Sequence, residues 1–252
     1  MRELPYVDVV GFDHLMHWVP DLAEAAEQYQ AAGFGLKTNP ARPGMGVHNG
    51  AWWKDLHYVE ALTLLNAEDA RTNPSHGSFT NTILPAVERT LAGGGGALNF
   101  AILVKDVDAV VQGMRAVGVP AEQHTVKIRL GPVKIPAYTI GWPTEGPPWA
   151  PFVISYHPAI RRIQKVALRF LRRGQPRFDI HQLIVEVPAP EVSGKWLRSL
   201  LGLPETRDPT VVPLGFCELI FVPGDADRIT TVELDGPGAP NVEIAGLRYR
   251  RT

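Results

Sequence analysis

The chain of 252 residues and 27.7 kDa allows one large domain or two small ones, with a sizeable core either way. Its 45% hydrophobic and 20% charged content excludes wholesale disorder, and 25 basic against 26 acidic residues, a net charge of −1, argue against a polyanion binder and so against a nucleic-acid partner. A single cysteine, Cys217, excludes an internal disulfide or a thiolate metal cluster. With no apolar run resembling a membrane span and no h-region after Arg2, the expectation is a cytoplasmic protein with no membrane partner.

Three segments then repeat one plan of apolar strand, short turn, amphipathic helix and stopping glycine. The first is HLMHWVPDLAEAAEQYQAAGFG (14–35), the second NFAILVKDVDAVVQGMRAVGVP (99–120), the third HQLIVEVPAPEVSGKWLRSLLGLP (181–204). They are spaced by about 85 and 82 residues, and such self-similarity marks a repeated unit. In the first, Asp21 caps a helix that turns Leu22, Ala25, Ala26, Tyr29 and Ala32 to one face, and Gly33 suits the left-handed position after it. In the second, Asp106 or Asp108 caps, and Val110, Val111, Met114 and Val117 form the apolar face. In the third that face is Trp196, Leu197, Leu200 and Leu201.

Extended runs follow each helix. HYVEALTLL (57–65), VKIRL (126–130), PAYTIGW (136–142), PFVISYH (151–157), FCELIFV (216–222) and ITTVELDG (229–236) carry the β-branched and aromatic residues of strands. Each unit therefore reads as βαβββ. Residues 78–91 read as an extra helix interrupted near Pro85, and the glycines 93–96 as a flexible joint. The expected organisation is a domain over 1–158, whose modules join near 66–97, a basic linker helix over 159–177 and a third βαβββ-like module over 178–252. In the linker, Arg161, Arg162, Lys165, Arg169, Arg172, Arg173 and Arg177 stand without one acid. A membrane-surface or nucleic-acid helix has this pattern, yet the balanced charge elsewhere favours a solvated connector.

Among residues able to do chemistry, His14 shares a strand face with Met16 and Trp18, and Glu60 shares one with Tyr58 and Leu62. An ionised Glu in so apolar a strand needs a cation or a hydrogen-bond partner. A neutral His and a carboxylate from neighbouring strands suit a first-row divalent metal, with His48 of PGMGVHNGAWW (43–53) as a third donor. Glu60 and His48 equally suit acid–base work. His57 alternates away from Glu60, and Asp179 with His181 offers a pair but no nucleophile. Trp18, Trp52, Trp53 and Tyr58 supply stacking walls for a ligand or ordinary sheet packing.

DHLMHWVPDL, then PGMGVHN, then HYVEAL resembles the vicinal oxygen chelate superfamily, and within it the glyoxalase-like domain proteins. EDARTNPSHGSFTNTILPAVERTLAGGGG, leading into LNFAILVKDVDAVV and ending at PFVISYH, resembles the second half of that domain. The resemblance implies an α+β fold of repeated βαβββ modules, two of them forming a curved-sheet cleft, with a third half-module appended. It implies one metal ligand from the first and one from the last strand of each module, and a metal acting as a Lewis acid on vicinal oxygens. Module one fills these positions with His14 and Glu60; module two offers Asn99 and, near the second position, Ser155. Asn and Ser are poor partners for such an ion.

The resulting expectation is a cleft protein for a small oxygenated molecule, acting as a metal-assisted isomerase, lyase or dioxygenase. Its expected centre is His14, His48 and Glu60 around a divalent metal, with Trp18, Trp52, Tyr58 and Asn99 contacting substrate. The alternative is a metal-free binding or sequestration protein of the antibiotic-resistance type. A homodimer is expected from the resemblance alone.

Overall fold

The computed structural model describes residues 9–130, 133–171 and 175–252. Arg172 and Arg173 of the basic linker lie outside the described residues, as do the side chains of Lys165 and Arg169. The first module runs β1 (Val9–Trp18), α1 (Leu22–Ala31), β2 (Lys37–Thr38), β3 (Val47–Lys54) and β4 (His57–Leu64). After α2 (Ala67–Thr72) and α3 (Gly77–Ala92), the second runs β5 (Gly96–Val104), α4 (Val107–Ala116), β6 (Ala121–Leu130), β7 (Val133–Pro143) and β8 (Phe152–Tyr156). The helix starts follow the sequence: Asp21 accepts from the amides of Ala23 and Glu24, and Asp106, not Asp108, accepts from Ala109.

In module one β4 pairs parallel with β1, and in module two β8 pairs parallel with β5. The two first strands, β1 and β5, pair antiparallel. The eight strands thus lie in the order β2-β3-β4-β1-β5-β8-β7-β6, two copies of one unit joined at their first strands. Leu15, Val19, Phe100, Ile102, Val110, Val111 and Met114 bury one sheet face under α1 and α4. Phe79, Leu84 and Val87 of α3 pack on the other face against Trp18, Leu98 and Trp142. From His14 to Trp18 the two faces of β1 alternate, and this positions the site.

Two sequence expectations change here. Pro85 lies inside an unbroken α3. The glycines before β5 form no flexible joint: Gly95 has φ +103, and a Cβ there would stand 2.7 Å from the Ala245 carbonyl oxygen and 2.9 Å from that of Trp18. Only glycine lets the backbone approach so closely in that conformation.

After α5 (Pro158–Leu171), the C-terminal segment contains β9 (Asp179–Val187), α6 (Pro190–Leu200), β10 (Val211–Leu214) and β11 (Cys217–Pro223), then β12 (Arg228–Asp235), β13 (Val242–Ile244) and β14 (Leu247–Arg251). It differs from a single βαβββ module. β11 pairs parallel with β9, β12 pairs antiparallel with β9, and β14 pairs parallel with β12. The order β10-β11-β9-β12-β14-β13 repeats the pairing logic of the first two modules. The segment therefore holds two abbreviated units, the second with no helix between its first two strands. Ile229 opposite Ala97 joins both halves into one sheet, of fourteen strands among the described residues.

Buried groups sew the halves together. Phe34 packs on Phe178 and Tyr249 with ring centroids 5.1 and 4.6 Å apart. On the β1 face opposite His14, the fully buried His17 reaches the Ala245 carbonyl through Nε2 at 3.1 Å. Because that carbonyl can only accept, Nε2 carries the proton and Nδ1 accepts from the Tyr29 hydroxyl at 2.6 Å. Tyr29 in turn bonds Tyr249 at 2.6 Å. Burial lowers the His17 pKa to about 4, against the bond to Ala245. His57 bonds Asp179 at 2.5 Å, so Asp179 pairs across the halves and not with His181.

Candidate active site

A cavity of about 490 Å³ lies between β1, β4, β8 and α3, with α5 and the loop before β3 at its rim. The alternation of β1 sends His14, Met16 and Trp18 into it, and that of β4 sends Tyr58, Glu60 and Leu62. Parallel pairing sets His14 opposite Tyr58 and Met16 opposite Glu60. Val47, Phe79, Ile140, Phe152 and Ile154 make much of the wall apolar, and Arg42, His48, Asn49, His76, Tyr138 and Tyr156 add polar groups.

His14 is the best-held polar side chain here. Its Nδ1 lies 2.7 Å from Asp13 Oδ1, and its ring stacks on Tyr58 at 4.5 Å and 12°. The Tyr156 hydroxyl donates to the same Asp13 oxygen at 2.8 Å. Asp13 is 1% exposed, and its carboxylate accepts the Nδ1 proton, which leaves Nε2 as the ring nitrogen with a lone pair. Burial first, then Tyr156 and the carboxylates of Glu60 and Asp13, holds the Tyr58 phenol well above its usual pKa. Burial and Asp13 do the same for Tyr156. Both phenols stay neutral.

A second polar group surrounds Glu60. Asn49 donates to Glu60 Oε1 at 2.5 Å and accepts from Asn39 at 3.1 Å. His48 Nε2 donates to the Asn39 carbonyl at 2.6 Å. Across the cavity His76 and Tyr138 share a hydrogen bond of 2.7 Å. Burial, then His124, lowers His76 to about 4, and burial, then Glu60, raises Tyr138.

The expected residues are thus placed as follows. His14, Glu60, His48, Trp18 and Tyr58 line one cavity. Trp52 does not: it is fully buried on the other sheet face against Phe34 and Phe178, because alternation along β3 turns it away from the side on which Trp53 stacks on Tyr58. Asn99 lines a separate cavity of about 160 Å³ beside Arg89, Trp142 and Glu145, and its buried Oδ1 has no partner among the described residues.

The donor set fits the expected metal poorly. Among the described residues no three His, Cys, Asp or Glu side chains are grouped to hold an ion. His48 is committed to a carbonyl and Glu60 Oε1 to an amide. Module two contributes less than the sequence suggested. The caps Asp21 and Asp106 make Met16 and Ala101 equivalent, and Ala101 pairs with Phe152 as Met16 pairs with Glu60. Phe152, and not Ser155, occupies the fourth ligand position; the Ser155 hydroxyl donates instead to the Lys105 carbonyl at 3.3 Å. The four positions hold two donors, a phenyl ring and an amide that lines a separate cavity, a set that does not fit a first-row divalent ion.

Sequence reasoning missed Asp13, Tyr156, His76 and Tyr138. Strict alternation turns Asp13 away from His14, but the β1–β5 register shifts between Phe12 and His14 and brings both side chains together. Nothing in the sequence signals that bulge.

With this geometry established, the glyoxalase-like domain family model matches residues 12–201. The chain belongs to the glyoxalase-like domain family. No curated protein matches it. Among solved structures, a hypothetical protein from Staphylococcus aureus superposes with TM-score 0.71 at 16% identity, over 96% of this chain and 98% of that one. Methylmalonyl-CoA epimerase from Mycobacterium tuberculosis covers 63% of this glyoxalase-like chain and 96% of its own, at 19% identity and TM-score 0.41. Homoprotocatechuate 2,3-dioxygenase from Arthrobacter globiformis covers 92% of this chain and 65% of its own, at 13% identity and TM-score 0.49. The match to the Staphylococcus protein supports the fold over both halves, C-terminal segment included. The fold is that of the vicinal oxygen chelate proteins.

Proposed function

We propose that this glyoxalase-like protein binds a small molecule with an apolar body and an oxygenated end, and moves a proton on it with His14 and Glu60. The observation that carries the reading is the Asp13–His14 pair. A buried carboxylate fixes the tautomer and ring plane of a cavity-lining imidazole, so that Nε2 is a base of set direction. Glu60, one strand over on the same wall, is the second proton carrier. Neutral Tyr138 is a hydroxyl donor for a substrate oxygen that gains negative charge. The chemistry this set performs is abstraction of a proton beside a carbonyl and its return, which is isomerisation or elimination.

No step runs through a metal, since the donor set does not fit one. The metal content of purified protein and of His14→Ala tests that exclusion: one equivalent retained by the first and lost by the second overturns it. The reaction is tested with a panel of aliphatic and aromatic carbonyl compounds in heavy water, following loss of the α-proton signal by NMR. Positioned acid–base groups contribute about 10²–10⁴-fold, so His14→Ala and Glu60→Gln each lower exchange by such a factor. Binding of a panel compound without exchange in the wild-type protein favours the sequestration reading, which the apolar wall of the cavity also suits. Exchange that both variants leave unchanged refutes the reading.

A further inference from the structure

The basic helix α5 is left unexplained by the cavity chemistry. Its 14 residues follow β8 directly and carry no acid. One side belongs to the cavity: Ile160 and Gln164 line it, and the Arg161 guanidinium lies 5.1 Å over the Tyr156 ring. The other side faces water with apolar groups, Ile163 at 53% and Val166 at 54% exposure, next to the exposed Arg162. Branched aliphatics at i and i+3 on a helix are ordinarily its buried stripe.

The β6–β7 hairpin continues this rim. Ile128 lines the same cavity, while Lys127, Arg129 and Lys134 alternate to the other face of the hairpin, again without an acid in its strands from 126 to 135. Arg129 pairs with Lys134 across the hairpin, so like charges sit opposite each other. Val133 beside them is 55% exposed. A chain of net charge −1 thus carries acid-free, basic segments with bare aliphatics on two elements that border one cavity mouth.

We infer that this rim docks on an anionic lipid surface, with Ile163, Val166 and Val133 entering the headgroup boundary and Arg162, Lys127, Arg129 and Lys134 meeting lipid phosphates. Charge complementarity selects this occupant. A basic face carrying exposed aliphatics suits an interfacial helix. A second copy of the chain is disfavoured, because a two-fold contact through α5 sets each basic helix against its own copy. A nucleic acid neutralises the cations but gives the aliphatics no apolar partner. The consequence is functional: the mouth bordered by Ile160 and Gln164 opens at the lipid surface, where an apolar substrate partitions. The inference does not depend on proton transfer by His14.

Co-sedimentation of the full chain with vesicles tests it, comparing pure phosphatidylcholine with phosphatidylcholine–phosphatidylglycerol mixtures. Binding is expected on the mixed vesicles and at least about tenfold weaker on the neutral ones, falling as salt shortens the screening length. Arg162→Gln with Lys134→Gln lowers affinity about 25-fold, from about fivefold per surface cation. I163E with V166E abolishes binding; both positions are exposed, and an unchanged melting curve confirms that the fold is kept. His14→Ala binds vesicles as the wild type does. No binding to either vesicle, equal binding to both, or an I163E/V166E variant that binds undiminished overturns the inference. Tight binding to single-stranded RNA that I163E/V166E leaves intact, without vesicle binding, reassigns the patch to nucleic acid.

Discussion

His17 offers the sharpest quantitative test of how the two halves are joined. In the unfolded chain its imidazole titrates near the ordinary value of 6.5; in the fold burial lowers it to about 4. The folded state therefore refuses a proton that the unfolded state accepts below pH 6.5. Stability from this group is present above pH 6.5, falls as the pH drops, and is fully lost below pH 4. At 1.36 kcal/mol per pKa unit the full loss is about 3 kcal/mol, of which about 2 kcal/mol has gone by pH 4.5. His17→Phe removes this titration but leaves the Ala245 carbonyl and the Tyr29 hydroxyl without their partner, at a cost of about 1–3 kcal/mol at pH 7. Urea unfolding at pH 7 and pH 4.5 measures both terms. The variant starts below the wild type, and the gap narrows or reverses by about 2 kcal/mol at the lower pH. His76, also lowered to about 4, titrates in both proteins and cancels in the comparison. Parallel pH dependences of the two proteins refute the account of the buried His17.

Three further outcomes follow from the geometry. Asp13→Asn replaces the carboxylate that sets the His14 tautomer by an amide whose NH2 can donate to Nδ1, so α-proton exchange falls about 10²-fold or more while binding of the same carbonyl compound, read by thermal shift, holds. Trp52→Ala costs about 3–5 kcal/mol in chemical denaturation and leaves compound affinity unchanged, since Trp52 does not line the cavity of His14, whereas Trp18→Phe shifts affinity because Trp18 does. Gly95→Ala drives a methyl group to 2.7 Å from the Ala245 oxygen at φ +103 and destabilises by about 1–3 kcal/mol, measured by the urea midpoint.

Local chemistry made much of this fold legible in advance. Asp21, Asp106 and the 3.6-residue spacing of Leu22, Ala25 and Tyr29 or of Val110, Val111 and Met114 define helices, because capping and amphipathic burial act within a few residues. Period-two alternation set His14, Met16 and Trp18 together on one strand and Tyr58 with Glu60 together on the next, and both sets point into one cavity. The repeat of that plan carried the α+β architecture.

Other features rest on register and on contacts across long stretches of chain. A bulge before His14 turned Asp13 into its partner, and Tyr156 reached the same carboxylate from 143 residues away. The parallel register of β5 with β8 placed Phe152 where a ligand was expected. Trp52 was assigned to a ligand wall because an aromatic residue in a strand suits a cavity and a core equally. Composition likewise left the C-terminal 75 residues with one module's worth of signal. Pairing of β12 against β9 and of β14 against β12 split them into two units. Sequence determined which segments form helices and strands and which faces they bury, through short-range propensity and patterning. Only tertiary structure decided which side chains meet, because strand register and sheet order bring together residues that no local rule connects.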